Sequence, residues 1–473
     1  MAERYDVVVI GGGPAGENAA DRAVRGGLSA VVVEERLLGG ECSYFACIPS
    51  KVLLRPVELV AAARRLPGAA EAVSGPVDAA AVLKRRDYFT GRGDDEGQVS
   101  WLTGVPADLV RGHGRLTGER SVTVELAGGG TTELLAQQAV VLATGTTPSL
   151  PPIPGLGEAA PWTNREATTA DTVPRRLLIL GGGVVAVEMA QAFRGLGSES
   201  VTVVERGERL LARYPDFASR ALTEAMTAAG IDVRTAVTAT AVDRPEPGGE
   251  VTVTLSDGTT VTGDELLAAL GRRPGTADLG LETVGLEPGR YVEVDDTLRA
   301  TGVPAGWLYA VGDANGRSLL THMGKYQARI AGDVIAARAA GQDTAATRFH
   351  DLADDLAVPQ VVFTDPQVCA VGRTEDEARK AGLDVRVVEY DIGSVSGASL
   401  LADGYAGRAQ LVIDEGRRVV IGATFVGQDT AELVHAATIA IVGEVPLDRL
   451  WHAVPSFPTV SEVWLRLLET YGL

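Results

Sequence analysis

Short runs of hydrophobic residues recur along this chain, and glycine clusters separate them from alanine-rich stretches. Runs at 7–10 and 177–180 each precede a glycine cluster, and further runs follow at 30–33 and 201–204. A continuous apolar run of this length, bounded by glycine, is typical of a strand that is buried on both faces of a sheet. The pattern therefore predicts two strand–turn–helix–strand units of the kind that build parallel α/β sheets.

Each unit is completed further along the chain by another strand and turn, at 140–145 for the first and at 266–271 for the second. From about residue 349 the glycine clusters stop, and the pattern predicts short strands and an amphipathic helix. The strands are expected at 411–413, 419–422 and 423–426, and the helix at 432–442. We therefore expect a separate C-terminal domain, with candidate linkers in the Pro-rich stretch 148–154 and the Gly-rich stretch 275–289.

The length and charge of the chain narrow its class. Its 473 residues exceed what one hydrophobic core supports, and typical domain sizes suggest about three units. A net charge of −19 disfavours nucleic acid or an anionic membrane surface as a partner, because either would repel the protein. The chain has no apolar run of membrane-spanning length, and its N-terminus enters a strand with no basic leader. We therefore expect no membrane association and a cytoplasmic location.

The two glycine clusters match the fingerprint of dinucleotide-binding folds. The first glycine allows a tight turn, the second lets the backbone approach a pyrophosphate, and the third lets the helix pack on the strand, while the helix N-terminus attracts phosphate. The first copy uses Gly11, Gly13 and Gly16, and the second uses Gly181 and Gly183 with Ala186 at the third position, where the fingerprint also allows alanine. An acid about 20 residues further on accepts a hydrogen bond from a ribose hydroxyl, and Glu34 and Glu205 stand near this spacing. Two complete copies predict two nucleotide sites.

Glu205 also bears on the choice of nicotinamide cofactor. A carboxylate at the end of the second strand would repel the 2′-phosphate of NADPH. Arg206 and Arg209 follow closely and leave NADPH open. We therefore expect NAD, with NADH preferred and NADPH possible.

Cys42 and Cys47 lie shortly after the first fingerprint. In a reducing compartment two closely spaced cysteines are more often catalytic than structural. On an ideal α-helix, residues five apart have Cα atoms about 8–9 Å apart, which exceeds the roughly 4.4–6.8 Å that a disulfide tolerates. The start of the helix must therefore be distorted, and Gly39, Gly40 and Pro49 supply the local freedom and constraint to do so. A helix N-terminus would in addition lower the pKa of the attacking thiol.

These motifs together resemble the class I pyridine nucleotide-disulfide oxidoreductases, the family of lipoamide dehydrogenase, glutathione reductase and mercuric reductase. The resemblance covers essentially the whole chain. The matching segments are the FAD fingerprint at 11–16 with Glu34, the CxxxxC motif with Pro-Ser-Lys at 42–51, the turn Ala143-Thr144-Gly145, the NAD(P) fingerprint at 181–188, the second flavin motif at 301–313 and the opening of the dimerisation domain at 358–366.

The resemblance implies an α/β fold with two Rossmann-like dinucleotide-binding domains and a C-terminal α+β dimerisation domain. It predicts an FAD-binding domain in two parts, 1–150 and 276–347, an NAD(P)-binding domain at 151–275 and a dimerisation domain at 348–473. It also implies a homodimer, because in this family the C-terminal segment of one subunit completes the site of the other.

The resemblance further implies an electron relay from NADH through FAD to a redox-active disulfide between Cys42 and Cys47. Cys47 would be the thiolate nearest the flavin, Cys42 would be the thiol that exchanges with a small-molecule substrate, and Lys51 would pair with Glu188. The further positions that the resemblance assigns to cofactor binding are Ala143, Thr144, Gly145, Gly271, Gly312, Asp313 and His322. Asp313 would approach the ribityl chain, and no metal site is expected.

One position departs from the family pattern near the C-terminus. Most disulfide-reducing members carry His-Pro-Thr-x-x-Glu there, and the histidine is the acid and base for the exchanging thiol. Here Phe457 stands at the histidine position and Glu462 at the glutamate position, and phenylalanine transfers no proton. His452 lies nearby and is a candidate substitute. The chain also lacks the C-terminal cysteine pair that mercuric reductase and the large thioredoxin reductases use, and it lacks an N-terminal metal-binding CxxC module. Both of these identities are therefore disfavoured.

Three functions follow from this combination of motifs. The first is an FAD- and disulfide-dependent NADH oxidoreductase that acts on a small disulfide, dithiol or other thiol-reactive compound, similar to dihydrolipoamide dehydrogenase. The second is a diaphorase that passes electrons from NADH through FAD to a quinone-like acceptor. The third is a non-catalytic flavoprotein subunit. The retained cysteine pair favours the first, Phe457 favours the second, and the two complete nucleotide fingerprints count against the third.

Overall fold

The computed structural model describes residues 2–473 and divides them into two compact units. The first unit contains the chain up to Pro49, Asp87–Ser149 and Arg272–Asp354. The second unit contains Ser50–Arg86, Leu150–Gly271 and Asp355–Leu473. Each unit is therefore assembled from three separate stretches of sequence.

The elements follow one another along the chain as strands and helices in alternation. The strands are β1 (Glu3–Ile10), β2 (Ala30–Glu34), β3 (Asp108–Gly118), β4 (Ser121–Leu126), β5 (Thr131–Leu142), β6 (Thr146–Pro148), β7 (Arg176–Leu180), β8 (Ser200–Val204), β9 (Asp232–Arg234), β10 (Ala239–Asp243), β11 (Val251–Leu255), β12 (Thr260–Gly263), β13 (Glu265–Ala268), β14 (Arg272–Pro274), β15 (Leu308–Ala310), β16 (Gln360–Val362), β17 (Gln367–Gly372), β18 (Val385–Asp391), β19 (Arg408–Asp414) and β20 (Val419–Gly427). The helices are α1 (Pro14–Arg25), α2 (Gly40–Tyr44), α3 (Cys47–Arg64), α4 (Ala79–Thr90), α5 (Glu96–Gly104), α6 (Asn164–Thr169), α7 (Val184–Gly195), α8 (Asp216–Ala228), α9 (Thr321–Ala339), α10 (Ala353–Leu356), α11 (Glu375–Lys380), α12 (Ser396–Ser399), α13 (Leu433–Val442), α14 (Leu447–Leu450) and α15 (Glu462–Tyr471).

The first unit is built around a parallel sheet in the order β3-β2-β1-β5-β15, and β3 and β5 run on beyond it to pair antiparallel with β4. Val9 lies opposite Val32 and Val141 in the centre of this sheet. Val9 packs into the hydrophobic core on one face, while its neighbours Val8 and Ile10 pack into the core on the other. This double burial explains why the strand sequence is continuously apolar.

The second unit contains a four-stranded parallel sheet in the order β13-β7-β8-β9 and an antiparallel sheet of β10, β11 and β12. Ile179 pairs with Leu267 on one side and Val203 on the other. Phe193 of α7 is fully buried in the core of this sheet, with its ring centroid 5.9 Å from that of Trp162. The nucleotide-binding architecture predicted from the second glycine cluster is therefore present.

The C-terminal part of the second unit contains an antiparallel sheet in the order β16-β17-β20-β19-β18. Its central strand β20 is buried along its whole length. Phe425 of β20 packs against Trp464 of α15 with ring centroids 5.8 Å apart, and Cys369 of β17 is a fully buried residue of the same core. This mixed α/β arrangement confirms the predicted fold class.

The structure refines two expectations in this region. The strands expected at 419–422 and 423–426 are one strand, and the helix begins at Leu433. Gly422 does not mark a turn. A Cβ atom there would stand 1.8 Å from the carbonyl oxygen of Arg373, so glycine permits a close approach of two backbones within a continuous strand. The predicted domain limits at 150, 275 and 347 stay predictions.

Within residues 2–473, no helix is both long enough and apolar enough to span a bilayer.

Candidate active site

The turn between β1 and α1 accepts only glycine at two positions. Gly11 has a φ of +103°, and a Cβ atom there would stand 2.5 Å from the carbonyl oxygen of Ala143. A Cβ atom on Gly16 would stand 1.9 Å from the carbonyl oxygen of Gly11. Gly13 caps α1 without a side-chain hydrogen bond, and a Cβ atom on it would have only the Cα of Gly40 within 4 Å. Open space therefore remains beside the start of a long helix, where an anion binds favourably.

Glu34 ends β2 beside this turn. Its Oε2 accepts the N–H of Gly12 at 2.6 Å, and its Oε1 accepts the N–H of Arg36 at 2.7 Å. Burial raises the pKa of this carboxyl, and the two backbone donors oppose that effect. The carboxylate is thus held at the place where the fingerprint needs an acceptor for a ribose hydroxyl.

A hydrogen-bond network that the motifs alone did not reveal surrounds Asp313. Thr146 Oγ1 donates to Asp313 Oδ2 at 2.6 Å, and Arg272 Nε donates to Thr146 Oγ1 at 2.6 Å. Arg272 Nη2 also pairs with Glu41 Oε2 at 2.5 Å. Burial raises the pKa of the Asp313 carboxyl. The sequence contained one indication of this network. Thr146, Arg272 and Glu41 each stand directly beside a residue of a recognised motif.

The residues of the first unit fit a bound FAD. Thr144 Oγ1 is buried and has no hydrogen-bond partner within the part of the chain that the structure describes, so it offers an unused polar group beside the glycine turn. The start of α1 would hold the pyrophosphate, Glu34 the adenine ribose and Asp313 the ribityl chain. Bound there, FAD supplies two-electron redox chemistry.

The second glycine turn has the same construction in the second unit. Gly181 has a φ of +110°, and a Cβ atom there would stand 2.3 Å from the carbonyl oxygen of Ala269. Gly183 has no heavy atom near its Cβ position, which leaves space at the start of α7. Glu205 follows β8, and its Oε1 accepts the N–H of Gly207 at 2.6 Å. These residues fit the pyrophosphate and ribose of a nicotinamide dinucleotide.

The helix that carries the cysteines is interrupted between them. Helix α2 contains Cys42 and ends at Tyr44, Phe45 has a non-helical φ of −133°, and α3 begins at Cys47. Gly39 takes the left-handed conformation just before α2, with a φ of +104°. The expected distortion is therefore a complete break between two helices.

The sulfur of Cys47 faces a helix of the same unit. Cys47 Sγ lies 3.3 Å from Thr321 Oγ1 at the start of α9. The neighbouring Cys47 sulfur, followed by burial, raises the pKa of the Cys42 thiol. The lowered pKa expected from the helix N-terminus is therefore not what the structure shows, because the second thiol and the buried surroundings outweigh that effect.

Lys51 forms the predicted pair with Glu188 inside the second unit. Lys51 Nζ lies 2.7 Å from Glu188 Oε2, and the Glu188 side chain is almost completely buried. The other oxygen of Glu188 accepts the N–H of Phe363 at 2.9 Å, and Lys51 Nζ stands 4.9 Å from the centre of the Phe363 ring. A buried carboxylate is stable only when it is neutralised and hydrogen-bonded, and this arrangement meets both conditions.

The C-terminal segment contains the remaining predicted residues. Phe457 is 74% exposed, and His452 is exposed as well. Glu462 is buried, and its Oε1 pairs with Arg466 Nη2 at 2.6 Å, while its Oε2 has no hydrogen-bond partner within residues 2–473. The structure therefore shows no contact between His452 and Glu462. His322, by contrast, lies in the first turn of α9, directly after the Thr321 that contacts Cys47.

The fold and these sites define a flavin- and nicotinamide-dependent disulfide oxidoreductase. The family profile described as pyridine nucleotide-disulphide oxidoreductase matches residues 5–331, and the profile of the dimerisation domain of the same family matches residues 358–467. The chain therefore belongs to the pyridine nucleotide-disulphide oxidoreductase family. It is an enzyme that uses FAD and a pyridine nucleotide, and its dimerisation domain supports a homodimer.

Relatives with two different activities resemble the chain over nearly all of its length. A dihydrolipoyl dehydrogenase of Thermus scotoductus is 32% identical over 476 residues, which cover 98% of this chain and 97% of the relative. A mercuric reductase of Shigella flexneri is 32% identical over 475 residues, which cover 98% of this chain and 80% of the relative. The crystal structure of LpdA from Mycobacterium tuberculosis has a TM-score of 0.84 at 24% identity and covers 100% of both chains. This last likeness concerns the fold.

Replacement of Gly16 by alanine should abolish flavin retention. The added methyl group would collide with the carbonyl oxygen of Gly11, which cannot move without opening the turn that holds the pyrophosphate. The ratio of flavin absorbance at about 450 nm to protein absorbance measures retention in the purified protein. Gly97→Ala is the matched control, because nothing lies near its Cβ position. Full flavin content in Gly16→Ala would contradict this account of the turn.

Lys51→Met should slow the reduction of the bound flavin by NADH by about tenfold or more, because Glu188 would keep its buried charge without the ammonium group. Stopped-flow absorbance under anaerobic conditions measures this rate. Lys84→Met is the control, since Lys84 is an exposed lysine of α4. An unchanged rate in Lys51→Met would show that Lys51 takes no part in the reduction of the flavin.

Proposed function

We propose that this enzyme transfers electrons between NADH and a small disulfide, dithiol or other thiol-reactive compound by way of Cys42 and Cys47. The observation that carries the proposal is the break between α2 and α3, which brings the two thiols close enough for Cys47 to raise the pKa of Cys42. A continuous helix would keep the two residues too far apart for a disulfide. Dihydrolipoyl dehydrogenases among the relatives act on a compound of this class.

The surroundings of the two sulfurs support a division of roles. Cys47 has the Thr321 hydroxyl 3.3 Å from its sulfur, and a hydroxyl that donates to a thiolate stabilises its charge. Cys42 lies in the short helix α2, and like Cys47 it is only partly buried, so a substrate can approach the pair. The third cysteine, Cys369, is fully buried in β17, and burial raises the pKa of its thiol to about 12. Cys369 is therefore unsuited to exchange.

The second nucleotide turn supports NADH over NADPH. A carboxylate after the second strand of the fingerprint would repel the 2′-phosphate of NADPH. Glu205 supplies such a carboxylate, and its Oε1 accepts the N–H of Gly207. Arg209 does not offset it, because its guanidinium donates to the carbonyl oxygens of Tyr214 and Ala212. Arg206 is exposed and remains a nearby cation on this segment.

A second candidate function is that of a diaphorase with a quinone-like acceptor. Phe457 favours it, because this position corresponds to the acid–base histidine in the family pattern and phenylalanine transfers no proton. The nearby Glu462 is engaged by Arg466 and does not replace that group. Electron transfer to a quinone needs neither a histidine nor the cysteine pair.

We further propose that the protein is cytoplasmic. The chain is acidic, and its two closely spaced thiols suit a reducing compartment.

Anaerobic titration with NADH separates the two functions. If the cysteine pair takes part, we expect uptake of two electrons with a long-wavelength absorbance band, and loss of that band in Cys47→Ser. Cys42→Ser should keep the band and lose disulfide turnover by at least about a hundredfold. Immediate bleaching of the flavin without the band, with quinone turnover retained in Cys42→Ser, would instead establish the diaphorase.

Phe457→His should raise turnover of dihydrolipoamide by about tenfold or more at pH 8, because an imidazole at this position can accept the proton of the exchanging thiol. Steady-state formation of NADH measures the effect. Phe457→Leu is the control, since it changes the size of the side chain without adding a base. Equal rates in the histidine and leucine variants would show that this position does not limit proton transfer.

A further inference from the structure

The first turns of α1, α2 and α9 converge within the first unit. A Cβ atom on Gly40, at the start of α2, would stand 2.8 Å from the Cα of Gly13, which precedes α1. A Cβ atom on Gly324, in the first turn of α9, would stand 3.5 Å from the Cβ of Ala15 in α1. The side chains in the first turns of these three helices therefore lie close together in one region of the first unit.

Lys325 brings a positive charge into this region. It follows Thr321 by one helical turn, so the two side chains lie on the same face of α9. Thr321 Oγ1 lies 3.3 Å from the sulfur of Cys47, which fixes this face of the helix against the cysteine pair. The Lys325 ammonium acts on the Cys42 thiol in the direction that lowers its pKa. Lys325 is half-buried, so solvent screens its charge only in part.

Glu17 places a carboxyl group in the same region. It belongs to the first turn of α1 and is 7% exposed, and its Oε1 has no hydrogen-bond partner in the described chain. Burial is the main reason that its pKa is raised to about 7, the charge of Lys325 opposes this shift, and the charge of Glu34 adds to it. The group therefore changes its charge near neutral pH, close to the cation.

We propose that Lys325 is the electrostatic partner that stabilises the Cys42 thiolate from within the same subunit, and that ionised Glu17 weakens this stabilisation. The assignment rests on the proposed function, since it concerns Cys42 as the exchanging thiol. It supplies a positive charge that favours the Cys42 thiolate, whereas the proton itself passes to water.

The other groups that face these residues come from neighbouring elements of the same unit. Cys47 of α3 raises the pKa of Cys42, and Thr321 of α9 lowers it. Burial is the main reason that the pKa of Tyr44 of α2 is raised, and the charges of Asp95 and Glu17 add to this shift. The positive charge of Lys325 is thus the one that favours ionisation of Cys42.

Exchange can then proceed while Lys325 keeps its proton. The Cys42 thiol loses its proton to water, the sulfur bonds to one sulfur of the substrate disulfide, and the substrate S–S bond breaks. The leaving thiolate takes a proton from water. The Cys47 thiol then loses its proton to water, and its thiolate attacks Cys42. This attack forms the intramolecular disulfide and releases the second substrate thiolate, which is protonated by water. Two electrons pass from the cysteine pair to the substrate.

The pH dependence of Cys42 alkylation tests this assignment without turnover. The experiment uses the flavin-bound protein in a Cys47→Ser background, which removes the largest cause of the raised pKa of Cys42. Cys369 is fully buried and reacts slowly by comparison. The protein is reduced with dithiothreitol, freed of reductant and treated with iodoacetamide, and the alkylated peptide is quantified by mass spectrometry.

We expect Lys325→Met to raise the midpoint of Cys42 alkylation by about one pH unit, because an opposite charge favours the ionised form of a thiol. Lys325→Arg should keep the midpoint within about 0.3 unit, since it preserves the charge. Glu17→Gln should lower the midpoint by about 0.5 unit, because it removes the opposing negative charge. Opposite shifts in the two charge-removing variants distinguish electrostatics from a general loosening of the site.

An unchanged midpoint in Lys325→Met, or shifts of the same sign in Lys325→Met and Glu17→Gln, would overturn the proposal. Failure of the proposed function has a different signature. In that case the wild-type enzyme would take up electrons from NADH without forming thiols, whereas the alkylation midpoints, measured after chemical reduction, would still report on Lys325.

Discussion

Two sulfur atoms carried by residues five apart can meet only if the backbone between them leaves the helical path. The chain meets this condition by ending α2 at Tyr44 and starting α3 at Cys47, with Gly39 in a left-handed conformation before the first helix. The proposed chemistry depends on this break. Without it the two cysteines would be separate thiols, and Thr321 would face only one isolated sulfur.

The same region shows how charge is arranged around the sulfurs. Acidic groups dominate the chain as a whole, and lysine is rare in it. Two of its lysines are nevertheless placed near the motifs that carry the chemistry. Lys51 neutralises a buried carboxylate in the second unit, and the charge of Lys325 acts on the pKa of Cys42 in the first. These isolated cations act at short range, where the net charge of the protein matters little.

Much of the fold could be predicted, because its strands are buried on both faces and therefore continuously apolar. Residues 7–10 and 177–180 illustrate this, and both lie in parallel sheets. The prediction divided the strand at 419–427 after Gly422. In the structure Gly422 lets the backbone of Arg373 approach the continuous strand, and a contact with a distant residue is not visible in the local sequence.

The candidate site was predictable where a motif fixes both spacing and residue type, as for Glu34 and for the pairing of Lys51 with Glu188. It was not predictable where side chains meet from distant parts of the chain. Thr321 is 274 residues away from the cysteine whose sulfur it contacts. The lowered pKa expected for the thiol failed for a similar reason, because a helix end is visible in sequence whereas a second sulfur and a buried environment are not.

The first unit is composed of three stretches of chain, and the last of them ends at Asp354. Strand β15 and helix α9 both belong to that last stretch, and α9 packs against α1 near the N-terminus. On the ribosome, α1 and β5 therefore lack their partners α9 and β15 until most of the polypeptide has been synthesised. During this interval, chaperones or transient collapse of the chain must shield their apolar surfaces from solvent. Binding of the flavin is therefore one of the last steps in the maturation of the enzyme.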